Sequence, residues 1–269
     1  MIPLRDTIRS RRRPYVVYAI LGINLIVFLF ELSLGTRALD SFTQAFGFVP
    51  ERFFFWVRYG GMALSPFRFL PLVSALFIHG GWLHLGGNML YLWVFADNVE
   101  DRLGHAGFAV FYLICGVAAN CIFGLTALHS TVPLIGASGA IAGVLGAYLI
   151  LFPKSRILTL IPIFIFPLFL RIPAFAFLGI WFVLQLFTGA WALTARIGQT
   201  VAWWAHVGGF LSGVLLLPVM IRFGPRGATG TPEMVGPQRT ILLPRDAWQV
   251  IHEHRNPIQG DTAGRDEGE

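Results

Sequence analysis

Four polar side chains each lie within or beside a run of apolar residues long enough to cross a bilayer. They are one serine, two histidines and one asparagine: Ser138, His206, His84 and Asn88. Polar groups at such places are costly and tend to be functional. A serine hydroxyl is a weak nucleophile that needs an adjacent base, and a histidine can take its proton and return it to a leaving amine. These residue types therefore indicate acyl transfer, provided that they meet.

Basic residues at the ends of the apolar runs allow the depths of the serine and the second histidine to be compared. Ser138 precedes Lys154 by 16 residues, and His206 precedes Arg222 by the same 16 residues. At a helical rise of about 1.5 Å per residue, both side chains lie about 24 Å from their basic anchor. We therefore predict that the serine and the histidine share one layer of the membrane.

His84 and Asn88 are four residues apart and lie on one face of a helix. They precede Arg102 by 18 and 14 residues, so they bracket the same layer. Both side chains can donate a hydrogen bond to an oxyanion, and the free backbone N–H groups of a helix opened by Ser138 add further donors. Because no acidic residue is expected at this depth, the pattern predicts a Ser138–His206 dyad and no triad.

Each of these residues also has a structural interpretation. A serine within Gly-Ala-Ser-Gly can be a small residue that allows close helix packing, and Asn88 can form an interhelical hydrogen bond. A lone histidine can be a satisfied structural group or part of a proton relay. The catalytic interpretation needs the same close approach of helices, and small residues recur at the spacing that provides it: Gly139, Gly143, Ala202, Ala205, Gly209 and Gly213.

The composition indicates an all-α polytopic membrane protein. Hydrophobic residues make up 55% of the chain and charged residues 13%, with a mean hydropathy of +0.67. Soluble domains carry about 25% charged residues, so this chain has too much apolar surface for a soluble fold. Six spans are predicted: Val16–Leu34, a second from 76–83 to about Asn98, Ala106–Leu128, Gly136–Phe152, Pro173–Trp191 and Val201–Ile221.

The segments between and after the spans have their own predictions. The charged and aromatic stretch Gly35–Pro71 is predicted as an interfacial or partly embedded loop, and Ile157–Leu170 as an interfacial or re-entrant stretch interrupted by prolines. The loop near Arg196 is the expected lid over the site. We expect three parts in chain order: a cytoplasmic basic N-terminus at 1–15, a six-span domain at 16–222, and a polar, disordered cytoplasmic tail at 223–269.

Charge and cysteine usage suggest the location and limit the partners. The net charge is +6, but the basic residues sit at the ends of apolar runs, which favours membrane topology over nucleic-acid binding. We expect a bacterial inner (plasma) membrane protein with both termini inside, in contact with the lipid bilayer. Cys115 and Cys121 are six residues apart in an apolar run, so no disulfide, metal site or cofactor is expected.

The ordered set of motifs resembles the rhomboid family of intramembrane serine proteases. The matching pieces are His79-x4-His84-x3-Asn88, Glu100-Asp101-Arg102-Leu103-Gly104, Gly136-Ala137-Ser138-Gly139 and Ala205-His206-x2-Gly209-x3-Gly213. The resemblance implies a six-transmembrane-helix bundle and cleavage of single-span or polytopic membrane proteins within or beside a membrane span. It also implies roles for individual residues: Ser138 as nucleophile, His206 as base, His84, Asn88 and the Ser138 amide as oxyanion donors, and Gly136, Gly139 and His79 as supporting residues.

Two alternatives remain open from the sequence. A non-catalytic rhomboid-like protein that binds membrane clients would typically lack the serine or the histidine, and this chain has both. A transporter with a proton path would be expected to place a carboxylate at the level of the histidines. Glu31 lies at the end of the first span, and Asp97, Glu100 and Asp101 lie at the inner end of the second, so none of these is expected at the level of Ser138.

Overall fold

The computed structural model describes residues 1–59, 66–163, 166–195 and 202–223, and most of these residues are helical. Six long or apolar helices occupy the positions predicted for the spans. They are α1 (Tyr15–Ser33), α5 (Trp82–Leu103), α6 (His105–Thr126), α7 (Ser138–Leu151), α8 (Ala174–Ala195) and α9 (Trp203–Phe223). The predicted lid near Arg196 and the predicted tail lie outside the described residues.

Four helices in the described part of the chain are long and apolar enough to cross a membrane. These are α1, α6, α8 as far as Trp191, and α9. Helix α7 is apolar but has only 14 residues, and α5 ends in a polar stretch that includes Glu100 and Asp101. The protein is therefore an integral membrane protein.

The segment Gly35–Pro71 was predicted as a loop, and in its described residues that prediction is wrong. It contains α2 (Thr36–Phe46) and α3 (Pro50–Tyr59) and leads into the short helix α4 (Leu70–Ser74). Both α2 and α3 are amphipathic at helical period, so each helix has an apolar face. Phe53 packs against the rings of Phe48 and Phe69 on that side.

The expectation of an all-α chain is also wrong at one place. Residues 157–170 belong to a hairpin of two antiparallel strands, β2 (Arg156–Ile163) and β3 (Phe166–Pro173). The strand β1 (Ile2–Arg5) pairs with β2 and completes a three-stranded sheet in the order β1-β2-β3. The prolines that suggested an interruption, Pro162 and Pro167, face each other across the hairpin beyond the stretch covered by β1.

The N-terminal segment is fixed to the same end of the bundle by two acidic side chains. Asp6 accepts a hydrogen bond from the hydroxyl of Tyr148, and burial raises the pKa of Asp6 to about 7. Glu100 accepts the backbone N–H groups of Val16 and Val17 at 3.0 and 2.8 Å, at the start of α1. These N–H groups have no partner within the helix, so the carboxylate caps the α1 N-terminus.

Helices α7 and α9 touch along their backbones. A Cβ atom on Gly209 would collide with the carbonyl oxygen of Gly139, and one on Gly213 would collide with that of Gly143. Gly143 also packs closely against α6, because a Cβ atom on Gly143 would lie 2.5 Å from Cβ of Cys115. The predicted close approach through small residues is confirmed, and it brings the start of α7 beside the start of α9.

Candidate active site

The serine and the second histidine meet at the starts of α7 and α9. Helix α7 begins at Ser138, with Ala137 as its N-cap residue, so the backbone N–H of Ser138 has no partner inside the helix. Oγ of Ser138 lies 2.8 Å from Nε2 of His206. This is hydrogen-bond distance between a hydroxyl and an imidazole, and the pair therefore has the geometry of a nucleophile and its base.

The other ring nitrogen of His206 has a partner that the sequence analysis missed. Nδ1 lies 2.8 Å from Oε1 of Gln185 on α8, and the Gln185 side chain is buried. With the amide oxygen as acceptor, Nδ1 carries the proton and Nε2 is free to accept the hydroxyl proton of Ser138. The available signal was the one amide side chain within the apolar run of α8, where a polar side chain is costly.

His84, Asn88 and Gly136 form the wall beside the serine. Nδ1 of His84 accepts the backbone N–H of Gly80 at 3.4 Å, so the proton of the neutral ring is on Nε2. A Cβ atom on Gly136 would lie 2.6 Å from that Nε2 and 3.6 Å from Nδ2 of Asn88. Gly136 also has a φ of 116°, which favours glycine. Two side-chain donors therefore face the backbone that leads into Ser138.

Asn88 has an unusual hydrogen-bond state for a buried amide. The residue is 8% exposed, and its Nδ2 has no hydrogen-bond partner among the described residues. Most buried polar groups in proteins are paired, so an unpaired donor beside a cavity calls for an explanation. This donor is available to a group that enters the cavity, which Asn88 borders.

His79 and Gly139 have positions behind the wall. His79 lies before α5 begins, contrary to its predicted place inside the second span, and its ring packs edge-on against His84 at 5.1 Å. Its backbone N–H donates to the buried carboxylate of Glu31 at 3.2 and 3.3 Å. Gly139 faces Ala119 on α6, where a Cβ would lie 2.7 Å from Cβ of that residue. Both residues are packed behind the wall formed by His84, Asn88 and Gly136.

One cavity joins these groups. It has a volume of about 840 Å³ and a mostly apolar lining, and the four polar residues singled out in the sequence all border it: His84, Asn88, Ser138 and His206. The rings of Trp181 and Trp203 flank His206 at 6.1 and 6.2 Å. Within the described residues, no cluster of three metal-ligating side chains is found.

The fold and the site define a helical integral membrane protein with a polar centre between its helices. Comparison with known sequences then gives the family. The Rhomboid domain matches residues 66–223, which is more than half of the chain. The chain belongs to the rhomboid family.

Several curated proteins are similar to this chain. Rhomboid protein 1, mitochondrial, of Saccharomyces cerevisiae is 31% identical over 210 residues, which is 74% of this chain and 51% of that protein. Rhomboid-like protein 11, chloroplastic, of Arabidopsis thaliana is 28% identical over 139 residues, 52% of this chain and 43% of the relative. The human presenilin-associated rhomboid-like protein, mitochondrial, is 34% identical over 99 residues, 36% of this chain and 26% of the relative. The chain spans about half or less of each relative.

Proposed function

We propose that the protein is an intramembrane serine endopeptidase that cleaves membrane proteins within or next to a membrane span. The observation that carries the proposal is the 2.8 Å contact between Oγ of Ser138 and Nε2 of His206, with Nδ1 of that histidine held by Gln185. Family membership supports a rhomboid-type function. The contact, the tautomer and the cavity are what favour a catalytic member over a non-catalytic one.

The reaction that fits this geometry is acyl transfer through Ser138. Its hydroxyl proton moves to Nε2 of His206 as Oγ bonds to the carbonyl carbon of the scissile peptide. The resulting imidazolium gives that proton to the leaving amine when the C–N bond breaks, which leaves an acyl-enzyme. Water then attacks the ester with the same histidine as base, so the serine is regenerated and the new carboxyl group is released.

Three donors are in place for the oxyanion of this reaction. They are the backbone N–H of Ser138 at the start of α7, Nε2 of His84, and Nδ2 of Asn88. We propose that they stabilise the negative charge that develops on the carbonyl oxygen. We propose that Gly136 leaves space for the substrate backbone, because any side chain there would collide with His84 and approach Asn88.

The membrane arrangement that suits this function is a six-helix core over 16–222, in which α5 and α7 cross together with the four apolar helices. The catalytic layer then lies below the outer surface. The basic clusters at 9–13 and at Arg222 favour a topology with both termini inside. We propose the bacterial inner membrane as the location, although the relatives named above carry mitochondrial or chloroplastic names. Neither a metal nor a cofactor takes part in the proposed mechanism.

The direct test is cleavage of model single-span proteins by the purified full chain in detergent or liposomes. We expect two fragments separated within or beside the span, and no cleavage by Ser138→Ala protein that melts at the same temperature. Equal turnover by wild type and Ser138→Ala would reject the mechanism. Tight binding of the substrate without cleavage by wild type would instead favour a non-catalytic, client-binding member of the family.

A further inference from the structure

The β2–β3 hairpin has a surface that the proposed reaction does not use. Residues 157–170 contain no charged residue, and Thr159 is their one polar side chain. Towards the base, Ile157 and Thr159 are fully buried. Beyond Leu160, where β1 ends its pairing, the hairpin continues as two strands alone. The sheet thus extends from a packed base to an apolar end with no covering element among the described residues.

The exposed part of the hairpin is apolar on both faces. Phe166 is 71% exposed and Phe169 is 56% exposed, and consecutive residues of a strand point to opposite faces. In water, an antiparallel sheet commonly has one apolar face packed on the core and one polar face in solvent. A hairpin with two exposed apolar faces does not fit that arrangement. Three more apolar side chains of the hairpin are exposed by 40% or more: Ile163, Leu168 and Leu170.

Cationic residues bracket this apolar stretch at the base. Lys154 and Arg156 precede it, Arg171 follows it, and all three side chains are exposed. The base also lies at the ends of two membrane helices, since α7 ends at Leu151 and α8 begins immediately after β3. Cations at the level of the headgroups and apolar side chains deeper in the lipid are typical of elements that lie in the membrane interface.

We infer that the β2–β3 hairpin is a lipid-binding element. Its apolar end lies among the upper acyl chains of one leaflet, and Lys154, Arg156 and Arg171 contact lipid phosphates. The outer edge of β3 fixes the depth. Its backbone groups pair with β2 on one side only, and unpaired groups are not tolerated in the hydrocarbon centre but are satisfied by water and headgroups at the interface.

The position of the hairpin favours lipid over a second copy of the chain as the occupant of its apolar surface. The apolar end starts from helix ends that already lie at the membrane boundary, so lipid is adjacent before any partner arrives. Because β3 leads directly into α8, lipid contact at the hairpin also fixes the start of the helix that carries Gln185. This inference does not depend on catalysis.

An environment-sensitive fluorophore on the hairpin tests the inference. The full chain, with Cys115 and Cys121 replaced by alanine, carries a single Phe169→Cys substitution labelled with NBD. It is reconstituted into vesicles of equal parts phosphatidylcholine and phosphatidylglycerol. We expect blue-shifted emission, loss of intensity with a nitroxide placed high on the lipid acyl chain, and protection from aqueous iodide. Phe166→Cys is a second position in case the first variant does not fold.

Two positions calibrate the result. Leu184→Cys, on the exposed face of the span α8, should show lipid quenching, and Arg12→Cys, exposed in the N-terminal segment, should show iodide quenching. Iodide quenching at Phe169 equal to that at Arg12, with no effect of nitroxide lipid, would place the hairpin in water and overturn the inference. Protection from both quenchers together with energy transfer between labelled copies would assign the surface to a second chain.

Discussion

At the scale of the residue, the main finding is the ordered line from Gln185 through His206 to Ser138. The sequence predicted that the serine and the histidine would meet, because their equal offsets from Lys154 and Arg222 place them in one layer. It did not predict what would hold the histidine. The absence of an acid at that depth was read as the absence of any third group, whereas a neutral amide occupies that place.

The serine and the histidine are expected to act as one unit. Ser138→Ala and His206→Ala should each lower turnover by roughly four to six orders of magnitude, and the double variant should be little worse than either. The measurement is kcat/KM for the three variants on one single-span substrate. Losses that add in the double variant would show that the residues serve separate steps.

Gln185 is expected to act through His206. Gln185→Met has similar length but lacks the acceptor, and Gln185→Glu keeps an acceptor oxygen. Losing one hydrogen bond of this kind costs about 1 kcal/mol, so we expect Gln185→Met to lower kcat about 5- to 10-fold with KM nearly unchanged. Gln185→Glu should recover part of that loss. Equal kcat values for the two variants, with a lower melting temperature in both, would reduce Gln185 to a packing role.

Substitution of Asn88 distinguishes a packing role for this residue from a catalytic one. As an oxyanion donor, its loss in Asn88→Ala should lower kcat by up to about 100-fold, because the other two donors compensate in part. As an interhelical hydrogen-bonding residue it would contribute on average about 0.6 kcal/mol to stability and nothing to the rate per folded molecule. The unpaired Nδ2 favours the first outcome. Measuring kcat and thermal melting on the same preparation decides between them, and a melting loss at normal kcat would remove Asn88 from the site.

At the scale of the element, the contact between α7 and α9 sets the distance between Ser138 and His206. Gly209→Ala inserts a methyl group against the Gly139 carbonyl, and overpacking of this kind costs about 1 to 3 kcal/mol. We expect a lower melting temperature and a loss of turnover, because separating the helices lengthens the Ser138–His206 contact.

A matched substitution on another helix controls for the change of residue type. At Gly179 on α8, a Cβ atom meets nothing within 4 Å, so Gly179→Ala should leave turnover and melting near wild type. If Gly209→Ala behaves like Gly179→Ala, the close approach of the helices is not what positions the pair.

The elements show where sequence reasoning succeeds and where it stops. Long apolar runs predicted the six helices to within a few residues, since their composition is a local property. The helices within Gly35–Pro71 were missed because charges and aromatic residues suggested irregular structure, although they follow helical period. The sheet was missed because its pairing is not local. The strands β1 and β2 are about 150 residues apart in the chain, and no local pattern predicts that Ile2 pairs with Leu160.

At the scale of the whole molecule, Asp6 joins the N-terminal segment to Tyr148 on α7. Burial, and next the proximity of Asp97, raise the pKa of Asp6 to about 7 against a hydrogen bond from Tyr148 that lowers it. A carboxyl group whose pKa is raised on folding contributes its full stability below its unfolded pKa, near 3.8. That contribution is lost as the pH rises towards and through about 7.

We therefore expect the melting temperature of the full chain to fall between pH 4 and pH 8, and the slope to be smaller in Asp6→Asn. Asp40→Asn, at an exposed position on α2, is the matched control and should keep the wild-type slope. The measurement is thermal melting in detergent across this pH range. Identical slopes for wild type and Asp6→Asn would show that Asp6 is not the group responsible.

The central claim, that Ser138 is a nucleophile activated by His206, is tested most directly by covalent labelling. The full-length protein is treated with a fluorophosphonate, and the adduct is located by mass spectrometry. We predict one adduct per chain, on Ser138, formed at a rate that falls sharply in His206→Ala protein of unchanged melting temperature. The account is contradicted if the folded wild-type protein forms no adduct, or if His206→Ala is labelled at Ser138 as fast as wild type.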